Sequence, residues 1–223
     1  MCGRYVTRTE DALGQEFRLL RVRWPQMSSY NIAPTRQVPV VRCTAEGREG
    51  LMMRWGLVPH WTRGKPAKFP LFNTRLETAA SGAMTRDAWR RGQRCILPAL
   101  GFYEWQQQAS QRQPFYIHRR DEAFLALAGL WDRSVGEEGV EILSCTILTR
   151  EAGVLVGEIH NTKHRQPVML TPDAIDTWLE GAQAEALAAT ALYPDELLEA
   201  WPVSRRVNTA THDDAGLVER LSA

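Results

Sequence analysis

Residues 94–131 read RCILPALGFYEWQQQASQRQPFYIHRRDEAFLALAGLW. Four runs in this stretch, Arg94–Leu97, Phe102–Trp105, Phe115–Arg119 and Phe124–Trp131, are rich in β-branched and aromatic residues. Gly, Pro or polar clusters bound each of them, a pattern that predicts short strands. Working outward, Gly3–Thr7, Val38–Arg42 and Leu51–Trp55 precede them with the same character. Val140–Leu148, Val168–Leu170 and Val203–Val207 follow. Helices are fewer. Thr9–Leu19 carries Leu13, Phe17 and Leu20 at helical spacing, and Thr85–Arg91 and Glu151–Gly157 are short candidates. Thr171-Pro172-Asp173 starts a helix well and Gly181 ends it, while Pro194–Trp201 repeats the Pro-then-acid start. Strands and helices do not alternate, which excludes a doubly wound parallel sheet. The expected fold is α+β: a single domain with a curled, largely antiparallel, barrel-like sheet and peripheral helices.

The 223 residues suit one domain spanning 1–223, with a core of 1–210 and a tail of 211–223. Hydrophobic residues at 44% and charged residues at 24% exclude disorder as the main state. The longest clean apolar run, Phe124–Leu130, is far too short for a bilayer, and no secretion signal opens the chain. Cys2, Cys43, Cys95 and Cys145 lie far apart with no CxxC pair, which argues against a zinc knuckle or a disulfide scaffold. The expectation is a cytoplasmic monomer without metal or organic cofactor.

The net charge of +1 announces no polyanionic partner, but its distribution is uneven. Lys65, Lys68 and Lys163 are the only lysines, so arginine supplies the other 24 of 27 bases. No acid occurs between Glu49 and Glu77, a stretch holding Arg54, Arg63, Lys65, Lys68 and Arg75. Trp55, Trp61, Phe69 and Phe72 are interleaved with these cations. A single-stranded nucleic-acid groove needs this mixture, cations for phosphates and rings for unstacked bases. The alternative is an arginine-rich chain with an uneven surface.

The second residue is a cysteine. Removal of Met1 would leave Cys2 with a free α-amine beside its thiol. Such an aminothiol condenses with an aldehyde to an imine, and the thiol then closes a thiazolidine ring. An α-amine of pKa about 7.7 is roughly one-third neutral in the cytosol, against about one-thousandth for lysine. The same residue could serve as a thiol nucleophile in acyl transfer, or be incidental.

Seven further segments accompany the opening Met1-Cys2-Gly3-Arg4-Tyr5. They are Tyr30-Asn31-Ile32-Ala33-Pro34-Thr35, Trp55-Gly56-Leu57-Val58-Pro59-His60-Trp61, Asn73-Thr74-Arg75-Leu76-Glu77-Thr78, Gly101-Phe102-Tyr103-Glu104-Trp105, Ile159-His160, Gln166-Pro167-Val168-Met169-Leu170 and Pro202-Val203-Ser204. In this order they resemble the SRAP (SOS response-associated peptidase) family along most of the chain. The resemblance implies a curled-sheet domain that captures abasic sites in single-stranded DNA covalently through Cys2, with self-reversal and lyase activity. The family name reflects an older proposal of thiol autoproteolysis.

Glu104 lies on an apolar strand, where burial would raise its pKa and suit it to proton transfer; an edge glutamate facing water is the alternative. The resemblance makes it the group that moves the amine's proton. His160 follows the apolar run Val154–Ile159 in what reads as a strand-to-loop junction. By resemblance it protonates the sugar oxygen as the abasic deoxyribose opens; a structural histidine is the alternative. The family usually runs Ile-His, one residue, then Arg-Met-Pro. Here Asn161-Thr162-Lys163-His164 intervenes and Gln166 replaces Met, so His164 competes for the role, and Arg165 falls at the family's phosphate-contacting arginine. Asn73 can orient an amine without titrating. Arg4 and Arg75 resemble phosphate contacts. Trp61 resembles a residue that stacks on an exposed base, with a core position as its rival. Asn31 reads as a turn residue, and Trp55, Trp89, Trp105 and Trp131 as core. Arg86, Arg90 and Arg91 extend the basic surface or form a solvated helix face. Cys43, Cys95 and Cys145 read as inert buried thiols. Two other functions compete: a thiol hydrolase or autoprotease using Cys2 with His160 and Glu104, and a non-catalytic reader of single-stranded or modified DNA.

Overall fold

Apolar residues run almost unbroken through 94–99 and 124–130 because alternate side chains on these strands enter two different cores. Cys95, Leu97, Leu125 and Leu127 point into one, and Ile96, Ala126, Ala128 and Leu130 into the other. A computed structural model describes residues 2–68 and 71–221. Met1, Phe69, Pro70, Ser222 and Ala223 lie outside the described residues, so the aromatic reading of Phe69 and the end of the expected tail do too.

The strands in chain order are β1 (Arg4–Arg8), β2 (Arg21–Arg23), β3 (Ser28–Ile32), β4 (Gln37–Thr44), β5 (Gly47–Trp55), β6 (Asn73–Arg75), β7 (Arg94–Ala99), β8 (Gly101–Gln108), β9 (Gln111–Arg119), β10 (Leu125–Val135), β11 (Glu141–Glu151), β12 (Arg165–Pro167), β13 (Met169–Leu170) and β14 (Leu198–Pro202). The helices are α1 (Asp11–Glu16), α2 (Leu76–Ala79), α3 (Arg86–Arg90), α4 (Val154–Ile159), α5 (Ala174–Glu180) and α6 (Gln183–Ala188).

One sheet closes on itself. Antiparallel pairings run β11–β10–β7–β4–β5, and a parallel pairing of Ser144–Cys145 with Arg54–Trp55 joins β11 back to β5. Closure removes the exposed edges a five-stranded ribbon would otherwise present. Trp55, fully buried, fills the closed end against Tyr5 and Phe72, with ring centroids 5.2 and 5.9 Å away. The second sheet, ordered β14-β9-β8-β1-β3, lays Tyr5, Phe102 and Ile117 onto the barrel core. Gly101 starts β8 because a Cβ there would sit 2.5 Å from the Tyr116 ring. Helix α5 covers the outer core with Trp178, whose Nε1 donates to the Cys95 carbonyl at 2.9 Å.

The α+β, largely antiparallel barrel is the expected architecture; three pairings are parallel. Several local readings are corrected. Pro194–Trp201 is a 3-10 turn at Asp195–Leu197 followed by β14, because Leu198 is buried and Trp201 packs on Tyr116 and His118. Val203–Val207 is a 3-10 turn at Arg205–Asn208, begun by Ser204, whose Oγ accepts from the Arg206 amide. The helix expected at Glu151–Gly157 starts later, as α4.

Asn31 is no turn residue. It sits in β3, 4% exposed, and its Nδ2 faces the carbonyls of Val207, Thr209 and His212 at 3.2, 3.1 and 2.8 Å. It thereby fastens the C-terminal segment to the second sheet. Asn31→Leu strands those acceptors and should cost about 1–3 kcal/mol. Urea unfolding checks this: the midpoint should fall at constant slope, and an unchanged midpoint would remove the fastening role.

Candidate active site

β1 and β8 pair antiparallel, Arg4 opposite Tyr103 and Tyr5 opposite Phe102. That register brings the residues just before β1 beside Glu104. Cys2 is fully buried, and its thiol points toward the Arg4 carbonyl at 3.8 Å. Its own carbonyl accepts from Asn73 Nδ2 at 2.8 Å. Asn73 opens β6, which pairs in parallel with β11. The preceding Phe72 carbonyl accepts from Trp55 Nε1 at 2.8 Å and the Ile147 amide at 3.0 Å, so the closed barrel fixes where the amide points. Asn73 Oδ1 is buried and has no hydrogen-bond partner among the described residues.

Glu104 is 1% exposed and His160 5%. His160 Nδ1 lies 3.8 Å from Glu104 Oε1 and 2.7 Å from the Arg165 carbonyl. Both Nδ1 contacts to Arg165, its carbonyl at 2.7 Å and its amide at 3.4 Å, fix the ring's orientation. His160 caps the C-terminus of α4 rather than ending a strand, which corrects the sequence reading of its context. The start of α4 is held by Asp195 Oδ2, accepting from the Leu155 amide at 3.1 Å, and by buried Gln166, whose Oε1 accepts from the Gly153 amide at 2.8 Å. Asn161 then ties the turn after His160 to β8: its Oδ1 accepts from the Gln107 amide at 2.9 Å and its Nδ2 donates to the Gln107 carbonyl at 3.0 Å. His164 is exposed, at a left-handed φ of 48°.

Burial pushes the Glu104 carboxyl above the ordinary range, against an opposing pull from His160. Burial also pushes the Cys2 thiol far up, and the Glu104 charge adds to the rise. A cavity of about 170 Å3 opens onto the acid–histidine pair, lined by Glu104, Trp105, Arg112, His160, Thr162 and Lys163. Pockets for drug-sized molecules run from about 300 Å3; this one takes a fragment no larger than a sugar.

The remaining predicted residues lie around this centre in different states. Trp61 is 50% exposed, not core. Its 3-10 turn is locked by buried Asp132, which accepts from the His60 amide at 2.9 Å and from Arg91 at 3.0 Å. Arg75 is exposed at the end of β6. Arg4 is half-buried, donating to the Gly3 and Asn208 carbonyls at 3.1 and 3.5 Å. Arg165 is already engaged, by both oxygens of Glu77 at 2.6 and 2.8 Å and by the Thr149 carbonyl at 2.6 Å. Arg86, Arg90 and Arg91 are all exposed, Arg90 pairing with Asp87 and Arg91 with Asp132. Trp55 and Trp89 are core; Trp105 and Trp131 are half-buried, and Trp105 lines the cavity. Cys95 and Cys145 are buried, whereas Cys43 is half-buried with its thiol 3.5 Å from Glu180 Oε1. Sequence reading missed Arg112 and Lys163, whose polar, turn-rich surroundings look like solvated surface.

The fold is an α+β barrel, and its candidate site sets a buried carboxylate and a histidine at a small cavity beside a buried cysteine. The model of the family described as SOS response associated peptidase (SRAP) matches residues 1–210, and the chain belongs to that family. Among relatives, the abasic site processing protein YoaM of Bacillus subtilis (strain 168) is 30% identical over 98% of this chain and 98% of its own. The abasic site processing protein YedK of Escherichia coli (strain K12) is 32% identical over 85% of this chain and 83% of its own. A crystal structure of a Bordetella bronchiseptica protein superposes with a TM-score of 0.80 at 27% identity, covering 91% of this chain and 100% of that one.

Proposed function

We propose that this protein senses abasic sites in single-stranded DNA and crosslinks to them through residue 2 once Met1 is removed. The observation that carries the reading is Glu104 and His160 side by side at a sugar-sized cavity, with Cys2 buried within reach of the Glu104 charge and held through its carbonyl by Asn73, in a chain whose relatives are named for abasic site processing. His160, beside Glu104, donates a proton to the ring oxygen as the deoxyribose opens to its aldehyde. Glu104 takes the proton from the α-amine as nitrogen attacks C1′. Water leaves and an iminium forms. Glu104, having passed the amine's proton to the departing water, takes the Cys2 thiol proton as sulfur adds to the iminium carbon; the nitrogen regains its lone pair and a thiazolidine closes, so amine, thiol and aldehyde give one ring and one water. Asn73 holds the residue-2 backbone and offers Oδ1 to the amine. From the iminium, loss of a C2′ proton and departure of the 3′-phosphate constitute lyase activity, and readdition of water reverses the crosslink.

A peptidase or autoprotease needs a thiolate, and burial plus Glu104 both hold the Cys2 thiol protonated. An aldehyde-first reaction at the amine needs no thiolate. In this reading the partner is single-stranded DNA, met by a cytoplasmic monomer. Incubation with an abasic oligonucleotide tests it. A denaturation-resistant adduct on a chain whose intact mass lacks Met1 is expected, and a mass retaining Met1 in an adduct-forming sample excludes the aminothiol chemistry.

Arg4, Arg75 and Trp61 set the strand preference. Each of Arg4→Gln and Arg75→Gln should reduce the log–log salt slope of binding by roughly 0.7. Trp61→Ala should cost about 1–3 kcal/mol of affinity for single strands and little for continuous duplex. Fluorescence anisotropy across a salt series measures both. Equal affinity for duplex and single strand, unmoved by all three changes, removes the groove.

A further inference from the structure

The resemblance leaves Arg165 as the phosphate contact nearest His160, yet Glu77 occupies that guanidinium on both oxygens. The mouth of the cavity carries two other cations. Arg112 and Lys163 are exposed, both line the cavity, and neither pairs with a carboxylate among the described residues. Both sit on braced elements. Arg112 lies opposite Gln107 in the β8–β9 ladder, and its Nε donates to the Gln107 side-chain oxygen at 3.3 Å. Lys163 belongs to the four-residue segment after His160, three residues longer than in the family pattern, and Asn161 of that segment joins both hydrogen-bonding groups of the Gln107 backbone. One residue therefore organises both cations, and the turn with Lys163 is tied to the strand with Glu104.

Inside this mouth a carboxylate and a histidine meet, a site for a neutral sugar rather than an anion. A sugar within a DNA strand carries a phosphodiester on each side, and one of them must leave through the mouth. We propose that Arg112 and Lys163 form a phosphate seat for the phosphodiester flanking the abasic sugar. Arg112 supplies the planar fork and Lys163 a mobile point charge. The seat adds two cations with no carboxylate partner among the described residues where Arg165 is tied to Glu77, and it gives the inserted segment a function. It rests on the reading of the cavity as the abasic-sugar site.

The test is a binding cycle that needs no chemistry. Cys2→Ala protein is titrated with single-stranded DNA carrying tetrahydrofuran as the unreactive abasic analogue. The flanking linkages are either phosphodiesters or neutral methylphosphonates, placed one side at a time. Two exposed charge contacts predict a roughly threefold to tenfold loss in affinity when one linkage is neutralised. Arg112→Gln with Lys163→Gln should cause the same loss, and the two losses should not add. Additive losses, or no effect of either linkage, overturn the seat whether or not the wild-type protein forms adducts. Non-additive losses in a protein that forms no adduct keep the seat and overturn the crosslinking reading. Both substitutions are on the surface, and an unchanged urea midpoint confirms that the comparison is between folded proteins.

Discussion

Cys2→Ala protein should form no denaturation-resistant adduct with abasic single-stranded DNA, while its affinity for that DNA stays nearly unchanged. The thiazolidine needs sulfur; the contacts expected of Arg4, Arg75 and Trp61 do not. Alanine at position 2 keeps a free α-amine after Met1 removal, so the iminium still forms, reverses, and can be trapped as a secondary amine by borohydride. The loss is therefore of product stability rather than of the first bond. Removing one buried atom costs on the order of 1 kcal/mol, as in Ile→Val, which a domain with 5–15 kcal/mol of stability withstands. The measurement is a denaturing gel with and without borohydride, beside an anisotropy titration. A stable adduct without borohydride from the Cys2→Ala protein would falsify the thiazolidine. An absence of trapped product would move the first step from the amine to another group.

The parts of the fold that were legible in the sequence are those whose signal is local. β7, β8, β9 and β10 are runs rich in apolar, β-branched and aromatic residues between polar, proline or glycine breaks, and each overlaps the segment that pattern marks. β14 was illegible because Pro194-Asp195-Glu196 is a good helix start, and only pairing with β9, Leu198 against Arg119, makes the following residues extended. Barrel closure joins Cys145 to Trp55, ninety residues apart, with nothing local to announce it. At the site, residue types hinted at chemistry, but only family resemblance gathered Cys2, Asn73, Glu104 and His160. The bond from Asn73 to the Cys2 carbonyl spans 71 positions. Asn31 read as a turn because its partners lie 176 or more positions away. Arg165 was legible only as the counterpart of a phosphate-contacting arginine, and nothing in its own neighbourhood foretells its pairing with Glu77, 88 positions earlier.

Glu104→Gln and His160→Ala should separate the chemical steps. Gln keeps the size of Glu but cannot take up a proton, so amine attack and crosslink release, which share transition states, should both slow by about 10²–10⁴-fold. His160→Ala should slow capture of closed-ring abasic sugars by a similar factor and an analogue presenting an open aldehyde far less. Time courses with both substrates, and release into excess abasic competitor, read these effects. Equal slowing on both substrates removes the ring-opening role, and a selective defect from His164→Ala instead would transfer it to that exposed residue. Stability should move oppositely for Glu104. Its pKa is higher folded than unfolded, because burial disfavours the charge. The folded state thus binds more protons between the two values, and stability falls as pH rises through that window. Neutral pH lies above the unfolded value, so part of that penalty is already present there and Glu104→Gln should raise Tm. The gain should vanish below the carboxyl's unfolded pKa, where both proteins are neutral at this position. A Glu104→Gln protein that is slower yet melts higher at neutral pH is the signature of a carboxylate kept in the core for its proton transfer. A lower Tm at neutral pH would mean instead that Glu104 is held there chiefly by the contacts its charge makes.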